Sequence, residues 1–246
     1  MRRGGFASLS RHGESPPNLL THRQYVAVYC GEPRVRLYMA LALCTSIGTL
    51  ALFGEQLAVL AGVAVGLLPE PFVEYGIHRF VFHSRLYRFE VAADFWKHMH
   101  YDHHQDPNNQ HEIFGPAEMM VPFAIAITLP LGWLAGGMAG GAGALATGLW
   151  VLVIYEYFHG AAHLLAEPPT AYGRWLKRIH ALHHFHNEKG NFGVITPICD
   201  LLFGTYYAGP GAVPRSPTVR NIGCTEEEAH RYPWVRWLGE ERPDPR

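Results

Sequence analysis

Ten of the sixteen histidines in this 246-residue chain fall into four clusters, and no other feature limits the fold as tightly. His159 and His163 are spaced i, i+4. His180, His183 and His184 are spaced i, i+3, i+4, and His100, His103 and His104 repeat that spacing upstream. His78 and His83 complete the set; five residues apart, they are expected to straddle a helix end. Residues three and four apart share a helix face, so each of the other spacings predicts a helix that aims its imidazoles at one common locus. Neutral imidazole is a good ligand for iron, zinc, copper and nickel. Ten imidazoles exceed the needs of one ion and suit two ions with four or five nitrogens each. A dinuclear site is therefore expected, assembled from four separated segments.

Nearby polar residues are candidates for holding those imidazoles. Glu74 precedes His78 by four residues and Glu156 precedes His159 by three, so each would share a face with its histidine on a continuous helix. Such a carboxylate orients a ligand histidine through its second ring nitrogen or, for Glu74, coordinates directly; the alternative is an acid at a helix end near a membrane surface. Asp102, inside the HYDHH cluster, and Asn191 and Asp200, in the segment after the last cluster, join the same list. Asp106 begins DPNN and reads as a turn former. The flanking His98, His111 and His186 are expected to support the site, face substrate or lie on the surface.

Between the clusters the chain is apolar. Leu37 to Gly54 carries no charge over eighteen residues, about 27 Å as a helix and close to a bilayer core. A second run begins at Leu57 and, continued towards Tyr75, completes a span. Met119 to Leu134, the glycine-rich AGGMAGGAGA and Leu145 to His163 predict a second pair of helices joined by a far-side turn. The mean hydropathy of -0.02 hides this alternation of apolar and polar segments. The predicted fold is all-α and integral to the membrane, with about four transmembrane helices in two hairpins. Both hairpins start and finish on one side, which brings all four clusters into a helical cap there. Basic residues such as Arg34, Arg79, Arg88 and Lys177 gather on the same side, which the positive-inside tendency makes cytoplasmic.

Residues 1–34 read as a polar N-terminal tail, 35–208 as the membrane domain and 209–246 as a polar C-terminal tail. Within the last, Thr225 to Glu228 matches a capping box for a short helix, and Trp234 and Trp237 anchor at the interface or pack on the cap. The first residues lack an apolar core behind their positive charge and do not read as a secretory signal. Cys30, Cys44, Cys199 and Cys224 form no CxxC pair, and Cys44 reads as a small buried hydrophobe. A net charge of -1 without a basic block gives no sign of a nucleic-acid partner.

The ordered motifs HRFVFH, HYDHH, HGAAH and HALHH, closed by NFGVITPICDLLFGT, resemble the fatty acid hydroxylase and sterol desaturase superfamily of membrane histidine-box enzymes. The likeness covers His78 to Thr205. It implies two metal ions, iron in the working enzyme and possible as zinc in the isolated protein, held by His78, His83, His100, His103, His104, His159, His163, His180, His183 and His184. It also implies an O2-dependent oxidoreductase acting on a lipid C–H bond, a fatty acyl chain first of all. Two departures are visible. Relatives that 2-hydroxylate lipids usually carry glycine where this chain has Tyr101, and the HPGG signature of a fused haem domain is missing. Electrons are then expected from a separate ferredoxin-like or cytochrome-like donor. A sterol or carotenoid hydroxylase or desaturase, and a non-catalytic zinc-binding membrane protein, remain as alternatives.

Overall fold

The computed structural model describes residues 21–52, 54–164 and 166–235. Among these there are helices and turns and no β-strand. Helix α1 (His22–Gly31) leads into α2 (Pro33–Leu50), α3 (Gln56–Leu67) and α4 (Glu70–Ile77). Three short helices follow, α5 (Glu90–Trp96), α6 (Asp102–Gln105) and α7 (Gln110–Ile113). The long α8 (Ala117–His163) precedes α9 (Ala171–Phe185), α10 (Ile198–Leu202) and α11 (Glu226–Arg231).

Helix α8 is two helices in one run. Its backbone leaves helical geometry at Gly136 and Gly137, the latter at φ 59°, a left-handed conformation that glycine adopts without a Cβ clash. The chain reverses there, so that Gly132 lies against Gly140 and Thr128 against Gly148. Helix α3 packs on the returning half so closely that a Cβ on Gly62 would sit 1.9 Å from the Gly140 carbonyl oxygen. Trp150 Nε1 donates to Ser46 Oγ at 3.0 Å and fastens α2 to the same half. Small residues that let backbones approach are how apolar helices pack when hydrophobicity alone gives no preference among neighbours.

Two helical runs, Gln56–Arg88 and His111–His163, are long and apolar enough to cross a membrane. Their outer faces expose large apolar side chains, among them Leu57, Leu60, Leu68, Trp133 and Met138. Cys44, expected inside, faces outward with them. Both ends of the α8 hairpin and the exit of α4 lie at one end of the bundle, where Arg34 at the start of α2 donates to the Phe114 carbonyl at 2.6 Å.

The described parts of the two segments expected as polar tails, residues 21–34 and 209–235, pack against the rest of the chain. Thr21 and Gln24 form a capping box that starts α1, and α1 buries Tyr25 and Tyr29 against α8. Tyr29 Oη donates to the Val153 carbonyl, which fixes the two helices together. Residues 209–235 likewise pack on the cap: Ile222 and Cys224 are buried with Tyr87 and Trp96, and Arg88 pairs with Glu228 at 2.9 Å. Thr225 caps α11 by accepting from the Glu228 backbone, while the Glu228 carboxylate turns to Arg88 and Tyr87. Trp234 donates to the Tyr87 carbonyl and so packs on the cap. Trp237 and the first twenty residues lie outside the described residues.

Candidate metal centre

The four clusters meet at the end of the bundle and divide into two groups of five. His78, His83, His100, His104 and His183 form one; His103, His159, His163, His180 and His184 form the other. In each group the five ring nitrogens lie within 4.8 Å of one another, close enough for each group to hold one metal ion.

The expectation that each i, i+3, i+4 cluster serves one locus is overturned. His100 and His104 enter the first group while His103 enters the second; His180 and His184 enter the second while His183 enters the first. Positions i and i+4 lie near the same angle on a helix, whereas i+3 and i+4 differ by about 100°. Each cluster therefore forks, two imidazoles one way and one the other. His78 and His83 face one group because the helix widens after α4: His78–Phe82 is a π-helical turn, and the His83 N–H donates five residues back to the His78 carbonyl at 3.0 Å. A second π-helical turn, Lys97–Tyr101, carries His100. Such turns are rare and concentrate at functional sites.

The outer ring nitrogens show what the inner ones can do. Nδ1–H of His78 donates to the Phe192 carbonyl, that of His104 to Val219, that of His159 to Ile113 and that of His183 to Gly190. A neutral imidazole has one N–H, so these four present a bare Nε2 inwards. His104 and His183 then face each other Nε2 to Nε2 at 3.2 Å with no proton between them. Two lone pairs at that distance repel unless a cation joins them. In the second group, His184 is buried with neither ring nitrogen partnered, which leaves the same demand. Burial keeps these rings neutral, as ligands must be. It pushes the His104 pKa down to about 3 against the upward pull of its carbonyl partner. It also holds His100, His103, His180, His183 and His184 well below the usual imidazole range, with their neighbouring imidazoles lowering them further.

The supporting acids act one step further out than expected. Glu74 does not touch His78; its Oε1 accepts from the backbone N–H of Val194 and of Ile195, close to the Phe192 carbonyl that does. Glu156 does not touch His159; it accepts from Gly115 N at 3.0 Å, two residues after the Ile113 carbonyl. Asp200 accepts from Phe192 N, Gly193 N and Thr205 Oγ1 at 3.0, 2.8 and 2.6 Å. Asn191, at φ 56°, exchanges hydrogen bonds with the Tyr207 backbone. Buried side chains thus hold the loops, and the loop carbonyls hold the histidines. Asp102 stands apart, paired with Lys97 and facing His98. Glu188, which no motif or spacing singles out, completes the pattern: it is buried and accepts from Ser216 and Thr218, next to the Val219 carbonyl that holds His104.

Helix α9 is locked to the end of α8 by Lys177, whose ammonium donates to the Ala161 and Leu164 carbonyls at 2.8 and 2.6 Å. Burial lowers its pKa to about 8. His186 donates to the Val213 carbonyl, while His98 and His111 line a cavity of about 280 Å³. That cavity reaches His100 of the first group and His103 and His159 of the second, between apolar walls that include Phe82, Met119 and Met120. Tyr155, stacked on His159 at 5.5 Å, closes one side. Tyr101 points elsewhere, onto Trp96 with ring centres 4.6 Å apart.

The sequence model of the fatty acid hydroxylase family matches residues 63–205. The ceramide very long chain fatty acid hydroxylase SCS7 of Saccharomyces cerevisiae is 35% identical over 156 residues, 60% of this chain and 38% of that protein. The fatty acid 2-hydroxylase of Mus musculus is 31% identical over 148 residues, again 38% of its own length. The dihydroceramide fatty acyl 2-hydroxylase FAH1 of Arabidopsis thaliana is 30% identical over 155 residues, 58% of this chain and 59% of that one. The chain thus spans well under two thirds of these relatives. The solved structure of full-length scs7p, in which only the hydroxylase domain is visible, superposes with a TM-score of 0.62 at 26% identity, over 74% of this chain and 68% of that one.

Proposed function

Since this chain belongs to the fatty acid hydroxylase family, we propose that it is a membrane-bound lipid hydroxylase that uses O2 and a dinuclear iron site to insert oxygen into a fatty acyl C–H bond. The observation that carries the reading is the pair of five-nitrogen groups, in which His78, His104, His159 and His183 have Nδ1–H tied to a backbone carbonyl and Nε2 turned inwards. The donor set fits two ions of a metal that favours imidazole. The ten histidines are the proposed ligands. Two iron ions bound there supply the redox chemistry that dioxygen requires, which zinc in the same sites does not.

The chain's own residues do the rest. The carbonyls of Phe192, Val219, Ile113 and Gly190 fix the tautomer and direction of the His78, His104, His159 and His183 rings, so these four nitrogens are held aimed at the centre. The cavity is lined by His100 of the first group and by His103 and His159 of the second, so a substrate carbon lodged there would meet both groups. Its Phe82, Met119 and Met120 wall suits a hydrocarbon chain. Inserting one oxygen atom of O2 into C–H and reducing the other to water takes two electrons and two protons. A separate ferredoxin-like or cytochrome-like donor supplies the electrons.

The names of the relatives favour carbon 2 of the acyl chain. Tyr101 does not argue against this, because its ring lies on Trp96 and not among the lining residues. The membrane base consists of the two hairpins, α2 with α3 and the two halves of α8, and the histidine cap faces the cytoplasm. The test is expression in an iron-replete bacterial host and comparison of the total lipid mass profile with that of the His183→Ala variant. An acyl lipid gaining one oxygen only with the unmodified chain is the expected result. Loss of two hydrogens would instead assign desaturation. A chain purified with two bound irons, reduced by a donor and given acyl lipid, that changes none of it would sink the reading.

A further inference from the structure

Helix α10 is built inside out for a surface helix. Its polar residue is inside: Asp200 is fully buried and Cys199 is 1% exposed. Its outer face, continued by the residue after it, is apolar: Ile198, Leu201, Leu202 and Phe203 are 48, 56, 63 and 55% exposed. Four large apolar side chains on one short segment form a contiguous patch of the kind that marks a contact surface.

What covers this face follows from what it adjoins. Phe203 stacks on Tyr75 of α4 with ring centres 5.3 Å apart, and Thr205 hydrogen-bonds the Tyr75 hydroxyl at 3.1 Å. Helix α4 lies within the run long and apolar enough to cross a membrane, and it also exposes Phe72, with Phe80 just beyond it. The patch therefore continues the outer apolar surface of that run onto the cap. Beside it stands an aromatic group with one apolar and one polar end each: Tyr172 Oη donates to the Ile195 carbonyl at 2.6 Å, and Trp175 Nε1 donates to Tyr206 Oη at 3.3 Å. Aromatic rings of that type collect at the level of lipid headgroups. We propose that α10 is an in-plane membrane anchor, its Ile198, Leu201, Leu202 and Phe203 face seated in the bilayer interface and continuous with the lipid-facing surface of α4. Seating it there fixes Asp200, and Asp200 holds the loop whose carbonyls direct His78 and His183.

The inference rests on the membrane reading of the helical hairpins, and the test separates the two. In a Cys30→Ala, Cys44→Ala background, single cysteines are introduced as Leu202→Cys and Leu201→Cys on the patch, Leu60→Cys on α3 and Lys189→Cys on the polar cap. Each is labelled with an environment-sensitive fluorophore and placed in phosphatidylcholine nanodiscs, after confirming the same gel-filtration profile as the parent. The two α10 labels are expected to lose fluorescence to doxyl-labelled lipid about as strongly as the Leu60 label, and to resist aqueous iodide that quenches the Lys189 label. α10 labels quenched by iodide like Lys189, with Leu60 still quenched by lipid, would overturn the anchor and leave the membrane base standing. α10 labels shielded from both quenchers would assign the face to a protein contact and overturn it equally. A Leu60 label insensitive to lipid would overturn the membrane reading itself.

Discussion

His183 and His184 are consecutive in the chain and serve different nitrogen groups: His183 Nε2 lies 3.1 Å from His83 and 3.2 Å from His104 in the first, while the ring of His184 packs at 4.6 Å from His163 and from His180 in the second. The dipeptide is the seam between the two proposed ion sites.

Single substitutions at the seam should separate the sites. His183→Ala and His184→Ala are each expected to lower bound metal from about two ions per chain to about one, by removing one of five ligands from a different group. Elemental analysis of the purified variants measures it. Loss of both ions from each variant would mean that the groups cannot be filled separately.

Asp200→Asn keeps the size of the side chain but weakens its grip on the Phe192 and Gly193 N–H groups. Metal affinity of the first group should fall about 10-fold to 100-fold, the usual cost of disturbing the partners of metal-bound histidines. A chelator competition titration reads this directly. Unchanged affinity would show that the loop holds its carbonyls without Asp200.

Gly62→Leu should be among the most damaging apolar substitutions in the chain, because its side chain has no room beside the Gly140 carbonyl. Overpacking of this kind costs about 3 kcal/mol. The thermal midpoint in detergent should fall sharply. Gly48→Ala, whose added Cβ meets nothing within 4 Å, should leave it level or slightly raised.

Acid should destabilise the metal-free protein. His104 has a folded pKa of about 3, below an unfolded value of about 6.5. Between those values the unfolded chain binds a proton that the folded chain refuses, so the contribution is full above about pH 6.5 and is lost as pH falls towards 3. The slope is about 1.4 kcal/mol per pH unit for each such imidazole. Chelator-treated protein should therefore unfold at a lower temperature at pH 5 than at pH 7.5; an equal or higher midpoint at pH 5 would refute the neutral buried cluster.

The histidine positions were legible because spacing on a helix is a property of sequence. The way the clusters fork was not, since reading three imidazoles as one face ignores the 100° between His183 and His184. The approach of His78 and His83 was hidden by a π-helical turn, which no local pattern in HRFVFH announces. Carbonyl partners such as Val219 and Gly190 were invisible for a deeper reason: every residue has a carbonyl, so side-chain identity says nothing about which one meets an imidazole. Spacing singles out Glu74 and Glu156, but their partners are backbone N–H groups, which side-chain identity does not reveal either. Helix α1 was recoverable, because Thr21 and Gln24 spell a capping box.

The forked clusters work as a ruler. Neighbours in a helix are offset by about 1.5 Å of rise and 100° of turn, and both HH dipeptides, His103 with His104 and His183 with His184, use that offset to divide their rings between the groups. The direction in which each pair of rings parts is thereby set first by peptide geometry, before any choice of side-chain rotamer. An inserted residue inside one of these helices would turn every histidine after it by about 100° and so exchange the group that each one faces.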